Sequence, residues 1–150
     1  MKPSAEGARS RRFYVWERGF SVKARILIVD DSPLVRQRLR DLLEHHPDWC
    51  VCGEAANGEE AVTKVRECTP DLIVLDFMMP VMNGLQAARA IGKTVPGVPI
   101  LMFSMHISRQ LVEEAQNAGV RGAVLKTDTR KVVEGVEALL RHESFFRPSN

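Results

Sequence analysis

Residues 26–31 read Ile-Leu-Ile-Val-Asp-Asp, an apolar run that ends in two adjacent carboxylates. A short, uninterrupted apolar run predicts a strand that is buried on both faces. The carboxyl ends of such strands border the binding crevice of open parallel α/β sheets. Two carboxylates about 4 Å apart repel each other by roughly 4 kcal/mol when the effective dielectric constant is near 20. The pair Asp30 and Asp31 therefore predicts a bound cation at this edge.

Apolar residues along the rest of the chain alternate between strand-like runs and helical spacing. The runs predict five strands, at residues 26–29, 49–55, 71–76, 98–104 and 120–126. Helical spacing after each run predicts five helices, at residues 33–45, 58–68, 85–91, 107–115 and 132–140. Five strand–helix units predict a parallel sheet with right-handed crossovers and with helices on both faces.

The composition favours an ordinary water-soluble domain. The 150 residues are 45% hydrophobic and 27% charged, and that length is enough to bury a sizeable core. No apolar stretch approaches the roughly 20 residues of a membrane span, and the N-terminus lacks the apolar segment of a secretory signal. The three cysteines, Cys50, Cys52 and Cys68, have no metal-site spacing. They favour reduced thiols in a cytoplasmic protein that does not associate with membranes.

Charge is distributed unevenly along the chain. Residues 1–24 carry six basic and two acidic side chains, a net charge of +4, and the remainder carries −2. The remainder has no dense basic patch, so we expect it not to bind nucleic acid directly. We predict a basic, disordered extension, one domain and a C-terminal tail, at residues 1–24, 25–143 and 144–150.

The basic extension mixes arginines with aromatic residues at 11–16, Arg-Arg-Phe-Tyr-Val-Trp. Three interpretations stay open. The stretch could stack on single-stranded nucleic acid. It could instead bind a partner or pack back on the domain. The third interpretation is a disordered or incidental extension. The third interpretation is favoured because the predicted domain would be complete if translation began near Val22.

Polar side chains stand at the ends of four predicted strands. These are Asp30-Asp31, Asp76, Ser104 and Lys126, and in a doubly wound sheet they lie around one crevice. Three carboxylates suit a hard, oxygen-preferring cation such as Mg²⁺. A hydroxyl and an ammonium suit the oxygens of a phosphoryl group. Each residue alone is more often a cap, a turn former or a surface group, so the prediction depends on their shared edge.

These motifs resemble the receiver domain of two-component response regulators, and the stretch around Asp76 is most similar to receivers of the NarL/FixJ type. The resemblance covers about residues 25–143 and implies a CheY-like, flavodoxin-like fold. That fold is a doubly wound five-stranded parallel sheet of order 2-1-3-4-5 with five helices. The resemblance is carried by residues 28–31, 75–80 and 83–84, by Ser104 and by Lys126.

The resemblance implies a phosphoryl-accepting switch and not an enzyme with turnover. Asp76 would accept a phosphoryl group from a histidine kinase or phosphotransfer protein, and the domain would lose it again by self-dephosphorylation. Ser104 would hydrogen-bond a phosphoryl oxygen, and Lys126 would pair with Asp76 and then with the phosphate. A change of conformation would then reach a downstream protein target.

The resemblance also implies how Mg²⁺ is held. Asp31 and Asp76 would ligate the metal directly, and Asp30 would do so through water. The backbone carbonyl of Met78 would complete the protein ligands, so the side chain of that residue need not be polar.

Two positions depart from the pattern of the family. Many receivers have an aromatic residue where this chain has Ala123, and a proline where it has Thr127. We therefore expect a weaker or different change on the surface formed by the fourth helix, fifth strand and fifth helix. Met78 and His106 lie two residues beyond Asp76 and Ser104, and we hypothesise that they set the lifetime of the phosphoryl group. The alternative is that both side chains lie at the border of the crevice without affecting that lifetime.

Three functions are compared for the whole chain. A stand-alone receiver that acts through protein contacts is the leading interpretation, and homodimer formation stays open. The alternative is the receiver half of a NarL/FixJ-type transcription regulator without its DNA-binding domain, because the chain ends soon after the last predicted helix. A hydrolase that uses Asp76 as nucleophile is less favoured, since the sequence has no cap domain or evident substrate pocket.

Overall fold

The computed structural model describes residues 23–79 and 82–146. One sheet contains all the strands of these residues, and every neighbouring pair is parallel, in the order β2-β1-β3-β4-β5-β6. The first five strands confirm the predicted flavodoxin-like sheet of order 2-1-3-4-5. In chain order the strands are β1 Ala24–Val29, β2 Trp49–Ala55, β3 Leu72–Asp76, β4 Ile100–Ser104, β5 Gly122–Leu125 and β6 Phe145–Phe146.

Five helices alternate with the strands, and polar caps fix where most of them begin. The side chains of Ser32, Asn57, Asn83 and Ser108 each accept a hydrogen bond from a first-turn backbone N–H. These N–H groups have no partner within the helix itself, so each cap satisfies a free donor. None of the helices in the described ranges has the length and apolar character that crossing a membrane requires. The helices are α1 Pro33–Glu44, α2 Gly58–Cys68, α3 Gly84–Thr94, α4 Arg109–Asn117 and α5 Arg130–Leu140.

The helices cover both faces of the sheet, as predicted. Helices α1 and α5 pack on the face that contains Ile26 and Ile28. Helices α2, α3 and α4 pack on the other face, which contains Leu27 and Val29. Successive residues of β1 therefore point to opposite faces, the period-two pattern of a strand. Both faces are covered, which explains why residues 26–29 of β1 are apolar without alternation.

Phe145 and Phe146 differ from the prediction, which placed them in the C-terminal tail at 144–150. They form β6 and pair in parallel with Gly122 and Ala123 of β5. Phe145 is 7% exposed and packs on the α1–α5 face of the sheet. The core of the domain therefore extends beyond the last helix, to residue 146.

The predicted division of the chain stays a prediction at both ends. Residues 1–22 of the basic extension and 147–150 of the tail lie outside the described residues. The stretch at 11–16 falls in the first of these ranges, and its three interpretations stay as the sequence left them. Ala24, which was assigned to the extension, is the first residue of β1.

Candidate functional site

Strand β1 delivers Asp30 and Asp31 to the carboxyl edge of the sheet. The Asp30 side chain is buried, with 1% exposed, whereas Asp31 is exposed. The Asp30 N–H donates to the carbonyl of Ala55 on β2, over 3.0 Å. The Ser32 N–H donates to Asp30 Oδ1, over 2.9 Å, where the chain turns into α1. Asp30 is thus fixed by the neighbouring strand and by the following turn.

Strand β3 ends at Asp76, which is 1% exposed. Its Oδ1 accepts a hydrogen bond from the Met78 N–H over 3.2 Å. Helix α3 begins directly against this strand end, and the Gly84 N–H donates to the carbonyl of Phe77 over 2.8 Å. A Cβ on Gly84 would lie 2.8 Å from the Asp76 carbonyl oxygen and 2.7 Å from Phe77 Cα. Glycine is therefore the residue that lets α3 begin this close to Asp76.

Lys126 follows β5 and reaches across the edge of the sheet. Its N–H donates to the carbonyl of Ser104 over 2.8 Å, which continues the pairing of β4 and β5. Its ammonium Nζ lies 2.9 Å from Asp76 Oδ1 and 3.1 Å from Asp30 Oδ2. The same ammonium lies 5.7 Å from the ring centroid of Phe103. One cation therefore bridges two buried carboxylates, of which only Asp76 was predicted as its partner.

Ser104 lies at the end of β4, and its hydroxyl is engaged by its own loop. The hydroxyl donates to the carbonyl of His106 over 2.8 Å and accepts from the N–H of His106 over 3.3 Å. The residue is 3% exposed. Among the described hydrogen bonds, those of the hydroxyl go to backbone and not to a carboxylate of the site. A role of Ser104 toward a phosphoryl group would therefore require this loop to give up or share its bonds.

Burial and neighbouring charges set the protonation of the site. Burial raises the pKa of Asp76 from its ordinary 3.8 to about 6, and the negative charge of Asp30 adds to this. The contact with Lys126 and the hydrogen bond from Met78 act in the opposite direction. Burial acts to lower the pKa of Lys126, but its contacts with Asp76 and Asp30 outweigh burial and raise that pKa. Lys126 is therefore a cation at neutral pH.

The residues present fit a divalent cation. Asp30, Asp31 and Asp76 each offer a carboxylate oxygen within 4.8 Å of the others. Lys126 is the ammonium that ion-pairs with two of them, which leaves two negative charges in excess when all three acids are ionised. Asp76 Oδ2 is buried, and among residues 23–79 and 82–146 no donor reaches it. A buried, unpartnered carboxylate oxygen costs free energy, and a hard cation of charge +2 would supply both the missing partner and the missing charge.

Two charged residues that the sequence pattern did not indicate border the site, Arg36 on α1 and Glu54 on β2. Arg36 Nη1 donates to the carbonyl of Asp30 over 2.7 Å, and its Nε donates to Glu54 Oε1 over 2.9 Å. Arg40 Nε donates to the other oxygen, Glu54 Oε2, over 2.8 Å. The available signal was Glu54 itself, because a charged residue within a largely apolar strand requires a partner.

The remaining predicted positions differ in their exposure to solvent. Met78 is 69% exposed and His106 is exposed. Ala123 is buried within β5, away from solvent, and Thr127 is exposed. The Met78 carbonyl as a metal ligand stays a prediction, as do the roles of Ser104 and of His106.

Comparison with known proteins gives one consistent family. The sequence profile described as "Response regulator receiver domain" matches residues 26–137. The chain is 38% identical over 125 residues to the response regulator protein VraR of Staphylococcus aureus. The matched region covers 83% of this chain and 60% of VraR. The chain therefore spans less than two thirds of the length of this curated relative.

Solved structures give the same result. A two-component response regulator of the LuxR family from Aurantimonas sp. SI85-9A1 is 38% identical, with a TM-score of 0.79 over 82% of this chain and 89% of that chain. The receiver domain of the response regulator NarL from Mycobacterium tuberculosis is 30% identical, with a TM-score of 0.74 over 79% of this chain and 97% of that chain. The predicted resemblance is confirmed: the chain belongs to the response regulator receiver domain family.

Proposed function

We propose that the chain accepts a phosphoryl group on Asp76 from a histidine kinase or phosphotransfer protein and signals by a change of conformation. The observation that carries this proposal is the state of Asp76. Its Oδ2 is buried and unpartnered among the described residues, and its Oδ1 is held by Lys126 and by the Met78 N–H. The Asp76 carboxylate is thus held in one orientation at the edge of the sheet, from which one of its oxygens would act as the nucleophile.

The proposed transfer is a displacement at phosphorus. An Asp76 carboxylate oxygen forms a bond to phosphorus while the bond between phosphorus and the donor's histidine nitrogen breaks. The electron pair of the broken bond stays on the imidazole nitrogen, which takes a proton from solvent. The product is an acyl phosphate on Asp76, and hydrolysis by water later returns the carboxylate and free phosphate.

Four residues would hold Mg²⁺ at this edge. Asp31 and Asp76 are the proposed direct ligands, Asp30 the ligand through water, and the Met78 carbonyl the fourth group. The exposure of Asp31 and the burial of Asp30 support these separate roles. The Asp30 carboxylate already forms an ion pair with Lys126 and accepts a hydrogen bond from the Ser32 N–H. When bound, Mg²⁺ would offset the negative charge that gathers on the phosphoryl oxygens during transfer.

Ser104 and Lys126 are proposed to stabilise the phosphoryl group once it is attached. The Lys126 ammonium already lies 2.9 Å from Asp76 Oδ1, so a phosphoryl oxygen on Asp76 would be within a short movement of it. The Ser104 hydroxyl would exchange its bond to the His106 carbonyl for a bond to a phosphoryl oxygen. That exchange would release the loop before α4 and would start the change of conformation.

The chain would then be a cytoplasmic signalling switch whose only chemistry is self-phosphorylation and self-dephosphorylation. The family supports a histidine kinase as the partner upstream. We propose a protein target downstream, no membrane association and no direct binding of nucleic acid by this chain.

Intact mass after incubation with acetyl phosphate and Mg²⁺ tests the proposal. We expect the wild-type chain to gain one phosphoryl group, and expect no gain in Asp76→Asn or in the presence of a chelator. Asp48→Asn, which removes an exposed carboxylate away from the site, is the matched control and should be labelled like wild type. Absence of labelling of the wild type by any phosphodonor would count against the proposal, and repeated turnover of external phosphoesters would favour a hydrolase instead.

A second candidate is the receiver half of a NarL/FixJ-type transcription regulator. The observation that favours it is length, since the chain covers 60% of VraR. An antibody against the receiver tests this in the native cell. A single species of the size of this chain argues for a stand-alone receiver, whereas a longer species that also binds DNA argues for the regulator.

A further inference from the structure

Arg36 links three elements at the edge of the candidate metal site. It lies in the first turn of α1, one turn after Ser32. Its Nη1 donates to the backbone carbonyl of Asp30 over 2.7 Å, at the end of β1. Its Nε donates to Glu54 Oε1 on β2 over 2.9 Å. The Arg36 side chain is 18% exposed, so both contacts are largely shielded from water.

The carbonyl that Arg36 holds belongs to the peptide unit between the two acids. A peptide unit is planar and includes the Cα atoms of both residues that it joins, here Asp30 and Asp31. A short, charge-assisted hydrogen bond to this carbonyl therefore fixes the plane from which the Asp31 side chain leaves. Asp31 is exposed, and no hydrogen bond or ion pair of its side chain is described among residues 23–79 and 82–146.

Glu54 fixes the direction of the guanidinium. It accepts from Arg36 at one oxygen and from Arg40 at the other. Burial acts to raise the pKa of Glu54, but the hydrogen bonds from Arg40 and Arg36 outweigh burial and lower it. Glu54 is therefore ionised at neutral pH and keeps the Arg36 guanidinium against β2.

We infer that Arg36 is a positioning residue of the metal site, which orients Asp31 for the cation by holding the Asp30–Asp31 peptide plane from α1, with Glu54 as its anchor. The inference rests on the proposed function, because the cation is the proposed Mg²⁺. Arg36 does not touch the cation, and its effect passes through the backbone of Asp30. Outer groups that orient metal ligands change metal affinity by about 10–100-fold when they are removed.

Arg40 provides a matched control within the same cluster. It donates to Glu54 as Arg36 does, and it also pairs with Glu44 over 3.5 Å on the same helix. No contact between Arg40 and Asp30 is described. A role in joining α1 to β2 is thus common to both arginines, whereas contact with the acid pair belongs to Arg36.

Calorimetric titration of the full chain with MgCl₂ at pH 7.5 tests the inference. We expect Arg36→Gln to raise the dissociation constant for Mg²⁺ by about tenfold, and Arg40→Gln to change it by less than about twofold. The urea midpoints of both variants are measured as a control for folding stability. Equal changes in the two variants, or a change below about twofold in Arg36→Gln, would overturn the inference. If Arg36→Gln does not fold, Glu54→Gln replaces it. A several-fold weaker binding supports the inference and unchanged binding overturns it.

A second measurement uses the metal-free protein. Amide hydrogen exchange of Asp31 and Ser32 should be faster in Arg36→Gln than in Arg40→Gln, since only the first variant frees the peptide plane. Equal exchange rates in the two variants overturn the inference. A wild-type chain that binds no Mg²⁺ would contradict the proposed function, and the exchange rates would then decide the role of Arg36 alone.

Discussion

At the residue scale, Asp76 is subject to two opposing influences. Burial and the charge of Asp30 favour its neutral form, whereas Lys126 and the Met78 N–H favour its ionised form. Burial prevails, and the pKa of about 6 is higher than the ordinary 3.8. Without a metal, the folded protein therefore binds a proton on Asp76 more tightly than the unfolded chain does. Folding stability and the pH are coupled through this one carboxyl group.

The first prediction is a pH-dependent gain of stability in Asp76→Asn. A raised pKa contributes stability below pH 4 that is lost as the pH rises through 6. The amide cannot ionise. In metal-free buffer the free energy of unfolding of the variant should therefore exceed that of wild type, by a margin that grows between pH 4 and 7 to about 3 kcal/mol. Urea unfolding at four pH values measures the difference, with Asp48→Asn as the matched loss of an exposed carboxylate. A difference that does not change with pH would show that Asp76 is not perturbed, and Mg²⁺ should reduce the difference.

Two exposed side chains at the rim yield the second prediction. Met78 is 69% exposed and His106 is exposed, so substitution there leaves the core unchanged. Polar groups in place of Met78 should orient water toward the phosphoryl group better than a thioether can. We expect the double variant Met78→Asn, His106→Glu to lose phosphate about tenfold faster, less than a fully positioned general base provides.

The lifetime is measured by phosphate release after rapid removal of the phosphodonor. Met105→Asn is the matched control, since Met105 is also an exposed methionine, 54% exposed, beside Ser104. An unchanged rate in the double variant would mean that both residues merely edge the crevice.

At the element scale, apolar runs were sufficient to predict the five main strands. β2 has the predicted bounds Trp49–Ala55. The predicted strands at 98–104 and 120–126 were too long at their beginnings. The backbone N–H groups of Val98 and Val120 donate to the carbonyls of Val95 and Ala115, at the ends of the preceding helices, and not to a neighbouring strand. Apolar side chains continue through such turns, so composition does not mark the change of hydrogen-bond partner.

Pairing between distant elements was the part of the fold that composition could not predict. β6 has two residues, too few to show a period, and its partner Gly122 is distant in sequence. For the same reason the carboxylates of the site were predicted from their strand ends, whereas the contact of Lys126 with Asp30 and the contact of Arg36 with the Asp30 carbonyl were not. Both contacts depend on which side chain points to which after folding.

The third prediction concerns β6. Phe145 is 7% exposed and packs against two glycines. A Cβ added to Gly122 would lie 2.9 Å from the Phe145 carbonyl oxygen, and a Cβ added to Gly135 would lie 3.2 Å from the Phe145 ring. Phe145→Ala should therefore destabilise the domain by about 3 kcal/mol, the usual cost of emptying a buried aromatic site. Phe146, which is only partly buried, is the matched control. Phe146→Ala should lower the free energy of unfolding by less than Phe145→Ala does. Urea unfolding of both variants decides, and equal small losses would show that β6 does not stabilise the domain.

At the scale of the whole molecule, the candidate site and the proposed output surface meet at β5, and the loop after β4 leads from the site into α4. Ser104 ends β4 and bonds to the loop that leads into α4. Ala123 lies within β5, is 2% exposed, and pairs with Phe146 of β6. The proposed output surface, defined as α4, β5 and α5, therefore has a small, buried side chain at Ala123, where the receiver pattern often has an aromatic one. Its edge at β5 is also covered by a strand.

The last prediction is a local response to phosphorylation. Beryllofluoride, which occupies the place of a phosphoryl group on an aspartate, should change amide exchange in the loop at 105–108, because Ser104 would exchange its bond to His106 for one to the ligand. Exchange on the output surface should change less than in that loop. Ala123 offers no large side chain to turn, and β6 holds the β5 edge by main-chain pairing.

Exchange is compared with and without beryllofluoride in the presence of Mg²⁺, with Asp76→Asn as the variant in which no region should respond. The comparison is internal to one molecule, so differences in ligand occupancy act on the loop and on the output surface alike. A response on α4, β5 and α5 that equals or exceeds that of the loop would mean that coupling does not require an aromatic side chain at Ala123. The signal would then pass through the backbone of β4 and β5, where the Lys126 N–H already bonds to the Ser104 carbonyl over 2.8 Å.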